Sequence, residues 1–298
     1  MSKHAPVLLQ EVIEYLRIAP GSVIVDATLN GAGHTKAILE QFPDVRVVGI
    51  EWDPELYRSG KEALTSYGDR AVVVNDTYTN LSTIVAAQGV VPDGVLFDLG
   101  LSSWHYETSG RGFSFQHDEP LDMRFHPESG KQTAAELVNT ATERELVKIL
   151  QEFGEEQFAE QIARAMVEER HQAPITTTEH LVRVIGQAVP EWYKHRKIHY
   201  ATKTFQALRV AVNDELSNVR RGVQAAIDAV KPGGRVVVIS FQGMEDKAVR
   251  EVFKENVARG VIKWVTKDTI RPRWAEIEKN PRARSAKMKI AERLDVSL

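Results

Sequence analysis

The sequence predicts an α/β fold in which a mostly parallel sheet ends with an antiparallel strand and is interrupted by an inserted helical domain. Short β-branched strands alternate with helices through the first hundred residues. The alternation stops between about Glu107 and Gln206 and resumes towards the C-terminus. The last two predicted strands have no helix of useful length between them, whereas a parallel pair needs a crossover of a dozen or more residues. The last strand is therefore expected to be antiparallel to its neighbour.

Most of the predicted strands are short, largely apolar runs. Runs such as SVIVDA and GVLFDLG have uninterrupted apolar centres, which is typical of strands that helices cover on both faces. In the interrupting segment, apolar residues such as Phe158, Ile162 and Met166 recur at helical spacing instead. The predicted strands are residues 22–27, 46–51, 71–76, 94–100, 235–241, 261–266 and 285–292, and a long helical stretch covers 205–230. This pattern predicts one domain from residues 1–106 and 207–298, and a helical insert at 107–206.

Composition excludes several classes of protein. Hydrophobic residues make up 43% of the 298 residues and charged residues 27%, which is typical of a globular chain. The absence of cysteine excludes disulfides, thiolate metal sites and a cysteine nucleophile. No apolar run approaches the ~20 residues that span a bilayer, and the N-terminus has no signal-peptide core. We therefore expect a cytoplasmic protein that does not enter a membrane.

The loop after the first strand, in VDATLNGAGHT (residues 25–35), has the outline of a nucleotide-binding loop. Gly31 and Gly33 permit a close approach of the backbone to a ligand. Glu51 ends the second strand, where its carboxylate can accept both hydroxyls of a ribose, and Tyr78 follows the third, where its ring can flank an adenine. A dinucleotide would favour a tighter glycine pattern. The loop is therefore expected to bind S-adenosylmethionine, with a nicotinamide dehydrogenase as a weaker alternative.

Several longer motifs occur together and in a fixed order. They are VDATLNGAGHT, FDLGLSS, RGFSFQHDEPLDMRF, FGEEQFAEQIARAMVEER, TFQALRVAVNDEL, PGGRVVVISF and NPRARSAKMKIAER. Together they resemble the bacterial ribosomal RNA small subunit methyltransferase H family, the cytosine-N4 methyltransferases, over nearly the whole chain. The resemblance implies a class I (Rossmann-like) methyltransferase domain with a helical insert for substrate recognition. It also implies transfer of a methyl group from S-adenosylmethionine to a cytidine in the decoding region of 16S ribosomal RNA.

The same resemblance assigns the cofactor contacts residue by residue, to Ala32, Gly33, His34, Glu51, Tyr78, Asp98 and His105. Some positions depart from the family pattern. Asn30 and Ala32 stand where glycines are usual, and Glu51 stands where an Asp is usual. These departures keep two alternatives open, namely a diverged paralogue that methylates another RNA nucleotide and an RNA-binding module without turnover.

Asp98 is the candidate catalytic residue. A cytosine amine is a poor nucleophile because its lone pair is delocalised into the ring, so catalysis needs an acceptor that hydrogen-bonds the amine. Asp98 ends the fourth strand and is placed for that role. The alternative is that its carboxylate orders the cofactor loop or contacts the methionine amine.

Two basic segments contain aromatic residues, at 192–203 and 271–289, although the whole chain has a net charge of −3. Arginines and aromatics can hold phosphates and stack splayed bases, so the expected partner is ribosomal RNA or the small ribosomal subunit. The candidate RNA ligands are Arg111, Phe113, Arg124, Lys203, Arg282 and Arg284. The alternative for the first three is an insert core in which Phe113 is buried and Asp122 pairs with Arg124. No metal site is expected at His195 and His199, because the basic residues around them would repel a cation. A homodimer is compatible with the sequence.

Overall fold

The computed structural model describes residues 6–295. The chain divides into two compact units, which we call the sheet domain (residues 1–100 and 216–298) and the helical domain (residues 101–215). The predicted boundary at 206/207 falls inside a helix, Thr202–Asn213, which lies wholly in the helical domain. That helix ends at Asp214, whose left-handed conformation (φ 55°) separates it from the next helix.

The sheet domain is built on a seven-stranded sheet of order β3-β2-β1-β4-β5-β7-β6. The strands are β1 Val23–Asp26, β2 Arg46–Glu51, β3 Ala71–Asn75, β4 Gly94–Asp98, β5 Arg235–Ser240, β6 Ile262–Trp264 and β7 Lys287–Arg293. Strands β1 to β5 pair in parallel, whereas β7 is antiparallel to both β5 and β6. The predicted mostly parallel sheet with an antiparallel final strand is confirmed.

Helices flank this sheet and make up the second domain. They are α1 Leu9–Leu16, α2 Gly33–Gln41, α3 Pro54–Ala63, α4 Leu81–Ala87, α5 Ser103–Glu107, α6 Ala134–Thr140, α7 Glu143–Gly154, α8 Ala159–Arg170, α9 Thr178–Ala188, α10 Glu191–Lys194, α11 Thr202–Asn213, α12 Glu215–Ala229, α13 Gly243–Ala258 and α14 Trp274–Lys279. Within residues 6–295, none of the helices combines the length and the apolar character needed to cross a membrane.

Helices cover both faces of the sheet, and successive residues of a strand point to opposite faces. On one face, Val25 and Phe97 pack with residues of α4, α12 and α13. On the other face, Ile24 and Leu96 pack with residues of α1 and α2. The apolar strand residues therefore line two cores. The polar residues lie at the carboxyl ends of the strands.

The helical domain has its own core, formed by α6 to α9 and α11. Capping boxes at Thr133 and Thr142 begin α6 and α7, with each threonine side chain accepting from the backbone N–H three residues later. The described residues 101–215 contain no strand, and an isolated antiparallel bridge joins Pro120 to Thr177. The sequence predicts a helical segment without strands here, and the structure agrees.

Candidate functional site

Three carboxylic acids lie at the carboxyl ends of neighbouring parallel strands. Asp26 ends β1, Glu51 ends β2 and Asp98 ends β4. Open α/β sheets bind ligands at this edge, where the strand order reverses. Asp26 and Glu51 are 2% and 8% exposed and the Asp98 side chain is 20% exposed, and burial raises the pKa of each carboxyl group. A buried acidic cluster of this kind is costly to the fold, and such clusters are typical of functional sites.

The loop between β1 and α2 is fixed to the sheet by its backbone. The N–H of Ala27 donates to Leu96 of β4, and that of Leu29 donates to Ile50 of β2. Asn30 and Ala32 both adopt positive φ, at 48° and 60°. This conformation is one that glycine adopts at no steric cost, and the resemblance noted in the sequence implies glycines at these two positions. The altered loop of this chain therefore keeps the backbone shape that glycines would give.

Glu51 joins this loop to the end of β2. Its Oε2 accepts from the backbone N–H of Asn30 at 2.8 Å, and its Oε1 accepts from that of Asp53 at 2.9 Å. Burial raises the pKa of Glu51 to about 7, and the two backbone hydrogen bonds oppose that rise. Each carboxylate oxygen has a second acceptor position. Glu51 can thus shape the loop and still accept hydroxyl groups of a ligand.

Asp98 has one carboxylate oxygen beside a histidine and the other without a hydrogen-bond partner. Its Oδ2 lies 3.6 Å from Nδ1 of His34. Its buried Oδ1 has no hydrogen-bond partner among residues 6–295. Burial raises the pKa of Asp98 to about 6, and the nearby imidazole of His34 opposes that rise. A buried acceptor without a partner is costly unless a ligand supplies a donor.

Sequence reasoning did not single out Asp26, Thr28 or Thr35, which complete this cluster. Asp26 accepts from the hydroxyl of Thr35 at 2.7 Å. The hydroxyl oxygen of Thr28 accepts from the backbone N–H of Asp98 at 2.6 Å, which ties β4 to the loop. The signal available in the sequence was the acid at the end of the first strand, in VDATLN.

Tyr78 follows β3 and is half-buried. Its ring meets Phe97 edge to face, with centroids 5.5 Å apart. It also packs against Gly222 of α12, where even a Cβ atom would collide with the ring. These contacts hold the ring near the ends of β3 and β4, the place expected for an aromatic wall beside an adenine.

These residues fit S-adenosylmethionine. The cofactor has a ribose, a cationic sulfonium, an amino group and an adenine. The sheet edge offers Glu51 as an acceptor for hydroxyls, the unpartnered Oδ1 of Asp98 as an acceptor for N–H, and the half-buried ring of Tyr78. The cluster of buried carboxylates also complements a positive charge. Among residues 6–295, no group of three His, Asp or Glu side chains is arranged to hold a metal ion.

His105 belongs to the helical domain and lies among aromatic rings. It is 4% exposed, and its ring centroid lies 5.0 Å from that of Phe113 and 5.3 Å from that of Phe125. Phe113 stacks on Phe125, with centroids 5.6 Å apart and an interplanar angle of 12°. The expectation that Phe113 stacks an RNA base is corrected, because its ring is 5% exposed within the domain core.

The arginines of the same motif make contacts inside the helical domain. Arg111 is buried and donates from Nη1 to the carbonyl groups of Arg124 and Phe125 at 2.8 and 3.0 Å. Arg124 donates from Nε and Nη2 to the two carboxylate oxygens of Asp122, at 2.8 and 2.6 Å. The alternative in which Asp122 pairs with Arg124 therefore describes this motif, since both arginines already have strong acceptors.

The remaining candidate RNA ligands lie in both domains. Lys203 donates to the carbonyl of Glu155 at 2.6 Å in the helical domain. Arg282 and Arg284 are exposed on a short 3₁₀ turn of the sheet domain, Pro281–Ser285. Lys289, at the end of the same basic segment, is instead buried and pairs with Asp246 of α13. The exposed basic surface of that segment therefore does not extend to Lys289.

Comparison with known proteins agrees with this arrangement. The family model described as the MraW methylase family matches residues 1–294. The ribosomal RNA small subunit methyltransferase H of Carboxydothermus hydrogenoformans is 44% identical, covering 98% of each chain. The protein of the same name from Desulfotalea psychrophila is 42% identical, and the alignment covers 98% of each chain. The one from Persephonella marina is 40% identical, and the alignment covers 99% of this chain and 100% of the relative.

Proposed function

Because the chain belongs to the MraW methylase family, we propose that it transfers a methyl group from S-adenosylmethionine to N4 of a cytidine in the decoding region of 16S ribosomal RNA. Relatives named for methylation of small-subunit ribosomal RNA align with it over almost their whole length. The observation that supports the chemistry best is the buried Oδ1 of Asp98, which lacks a partner among residues 6–295 and lies at the ligand-binding edge of the sheet.

S-adenosylmethionine, when bound, supplies an electrophilic methyl group on a sulfonium. The residues of the sheet domain would hold it as follows: Glu51 accepts from the ribose hydroxyls, the backbone of Ala32 to His34 lines the methionine part, and Tyr78 flanks the adenine. His105, in the helical domain, is assigned to the cofactor by the family resemblance alone. Positioning a nucleophile in line with the methyl group supplies much of the rate enhancement in reactions of this class.

Asp98 acts on the target amine. Its carboxylate accepts a hydrogen bond from one N–H of the cytosine N4 group, which favours a pyramidal nitrogen with its lone pair directed at the methyl carbon. Methyl transfer from the bound cofactor would leave positive charge on this nitrogen, and the anionic carboxylate of Asp98 would stabilise that charge. The extra proton then leaves the nitrogen for Asp98, whose pKa of about 6 makes it a stronger base than an ordinary aspartate.

The proposed substrate determines the expected partner and the cellular compartment. Ribosomal RNA, free or in the small subunit, is the partner, and the cytoplasm is the compartment. The helical domain is proposed to contribute to substrate recognition, through its exposed basic and aromatic residues and not through the buried Phe113.

The decisive experiment maps methylated cytidines in 16S ribosomal RNA by mass spectrometry. A strain that lacks the gene is compared with the same strain carrying either the wild-type gene or Asp98→Ala. One N4-methyl mark in the decoding region should be absent without the gene, restored by the wild type and not restored by the variant. An unchanged methylation map in the deletion strain would contradict the proposal. Calorimetry with S-adenosylhomocysteine then shows whether the chain binds the cofactor at all.

A further inference from the structure

The helical domain exposes a tryptophan whose ring packs against two other aromatic rings. Trp192 of α10 is 59% exposed. Its ring is supported by edge-to-face contacts with Phe158 and Tyr193, at centroid distances of 5.8 and 5.7 Å. Single exposed apolar side chains are common and need no explanation. An exposed ring fixed by two other aromatic rings is a more specific feature, because it presents a large flat surface at low entropic cost.

The support beneath this ring is itself anchored in the core. The Tyr193 ring is 3% exposed, and its hydroxyl donates to the buried carboxylate of Glu156, with Oε1 and Oε2 at 2.9 and 3.0 Å. Oε1 of Glu156 also accepts from the backbone N–H of Phe158 at 3.1 Å. Burial raises the pKa of Tyr193 to about 12, so the phenol keeps the proton it donates. Glu156 thus holds the Tyr193 ring by its hydroxyl and the backbone at Phe158.

The chain segment that carries Trp192 is basic. Residues 191–203 contain one acidic and four basic residues, in a chain whose net charge is −3. The single acid, Glu191, pairs with Lys194 at 2.9 Å and lies 3.2 Å from His195. Arg196 lies over the Tyr193 ring at 5.0 Å. Lys197 is exposed, and no carboxylate of the described residues 6–295 forms an ion pair with it.

We propose that Trp192, together with Arg196 and Lys197, is a stacking platform for a single-stranded base of the ribosomal RNA substrate. This inference rests on the proposed function, because it takes RNA as the partner. An aromatic face beside guanidinium and ammonium groups is how proteins hold unpaired bases and their phosphates. A membrane would require a broader apolar surface than the two exposed apolar side chains of this segment, Trp192 and Ile198. A polyanion also matches the local positive charge.

The test measures binding of a short single-stranded, cytidine-rich oligoribonucleotide by fluorescence anisotropy. Trp192→Ala should weaken binding roughly tenfold, because stacking on an aromatic ring contributes that order of affinity per base. Trp192→Phe should restore most of the affinity, since phenylalanine keeps a π face. Ile198→Ala is the matched control, because it removes an exposed apolar side chain that cannot stack, and its affinity should stay at the wild-type value. The double variant Arg196→Gln, Lys197→Gln should reduce the salt dependence of binding.

Steady-state methylation separates recognition from chemistry. For Trp192→Ala, the KM for RNA should rise while kcat at saturating RNA stays unchanged. Thermal unfolding should match the wild type, because the side chain is exposed. Wild-type affinity in Trp192→Ala would overturn the platform. So would a variant whose only defect is lost self-association in analytical ultracentrifugation, because the face would then bind a second copy of the chain.

The two proposals fail separately. If the wild type binds the oligonucleotide but methylates no cytidine, and Trp192→Ala loses that binding, the platform stands and the proposed function falls. If the wild type methylates cytidine and Trp192→Ala behaves identically to it, the function stands and the platform falls.

Discussion

The carboxylate of Asp98 and the imidazole of His34 face each other across 3.6 Å, from Oδ2 to Nδ1. The other ring nitrogen of His34, Nε2, lies 3.0 Å from the carbonyl oxygen of Val7. A carbonyl only accepts hydrogen bonds, so Nε2 must bear a proton. Nδ1 therefore has a proton only when the ring is cationic. The neutral ring thus faces Asp98 with a nitrogen that has no proton to donate, in a pocket where burial already disfavours the carboxylate.

We expect a graded loss of methyl transfer when Asp98 is changed. Asp98→Asn keeps the shape and one acceptor oxygen but loses the charge, whereas Asp98→Ala loses both. Single-turnover rates should fall in that order, by roughly 10²-fold or more for Ala, which is in keeping with removal of one preorganised electrostatic group. Affinity for S-adenosylhomocysteine, measured by calorimetry, should fall much less. If rate and cofactor affinity fall in proportion, Asp98 is a cofactor ligand and not the acceptor for the amine.

The same Asp98→Asn change should stabilise the protein without its cofactor at neutral pH. Burial raises the pKa of Asp98 from 3.8 to about 6 in the folded state. Between those values the folded chain binds more protons than the unfolded chain, so the free energy of unfolding of the wild type falls as pH rises through this window. The variant lacks this cost. It should be more stable by about 1–3 kcal/mol above pH ~6, and the gain should disappear as pH falls towards ~4.

Urea unfolding of both proteins across this pH range measures the difference. Asp44→Asn is the control, because Asp44 is an exposed acid of the same domain and should show little gain at any pH. A gain for Asp98→Asn that is equally large at pH ~4 and above pH ~6 would show that it does not come from the buried charge.

Glu51→Ala should weaken cofactor binding by at least roughly tenfold. The carboxylate is placed to accept hydroxyls, and charge-assisted hydrogen bonds are worth about 1.5–3 kcal/mol each. The change also removes the acceptor for the backbone N–H groups of Asn30 and Asp53, so the loop should loosen as well. Calorimetry with S-adenosylhomocysteine gives the affinity. Glu55→Ala removes an exposed acid of α3 and should bind the cofactor as the wild type does. If both variants bind with equal affinity, Glu51 does not contact the cofactor.

RNA binding should depend on salt although the whole chain is acidic. Each phosphate contact with single-stranded RNA contributes about −0.7 to the slope of log affinity against log salt. Arg282 and Arg284 are exposed on the turn before β7, so replacing both with Gln should make the slope shallower by about 1.4 if each contacts one phosphate. Affinity that does not change between low and high salt would show that these arginines are ordinary solvated surface.

Much of the fold follows from local sequence patterns. Apolar runs locate β1 to β5 within a few residues, because a strand buried on both faces needs an apolar segment. β6 and β7 are also predicted within a few residues, although lysines interrupt both. The lack of a long helix before the final run predicts an antiparallel β7, because a parallel crossover usually needs one. In the described residues between β6 and β7, the only α-helix is the six-residue α14, and β7 is antiparallel to both of its neighbours. The acids at the strand ends also mark the candidate edge in advance, since parallel strands bring their carboxyl ends together.

Contacts between distant segments were decided by the tertiary structure alone. Asp26, His34 and Asp98 come from three separate elements, and no local pattern records that His34 lies against Asp98. The same limit applies to Phe113, whose motif suits an exposed stacking ring and a buried core ring equally well; packing against Phe125 decides between them. Within regular strands and helices, the sequence pattern indicates which residues become buried, because burial there follows short-range periodicity. Which buried residues then meet, and which polar atom is left for a ligand, depends on how the elements pack.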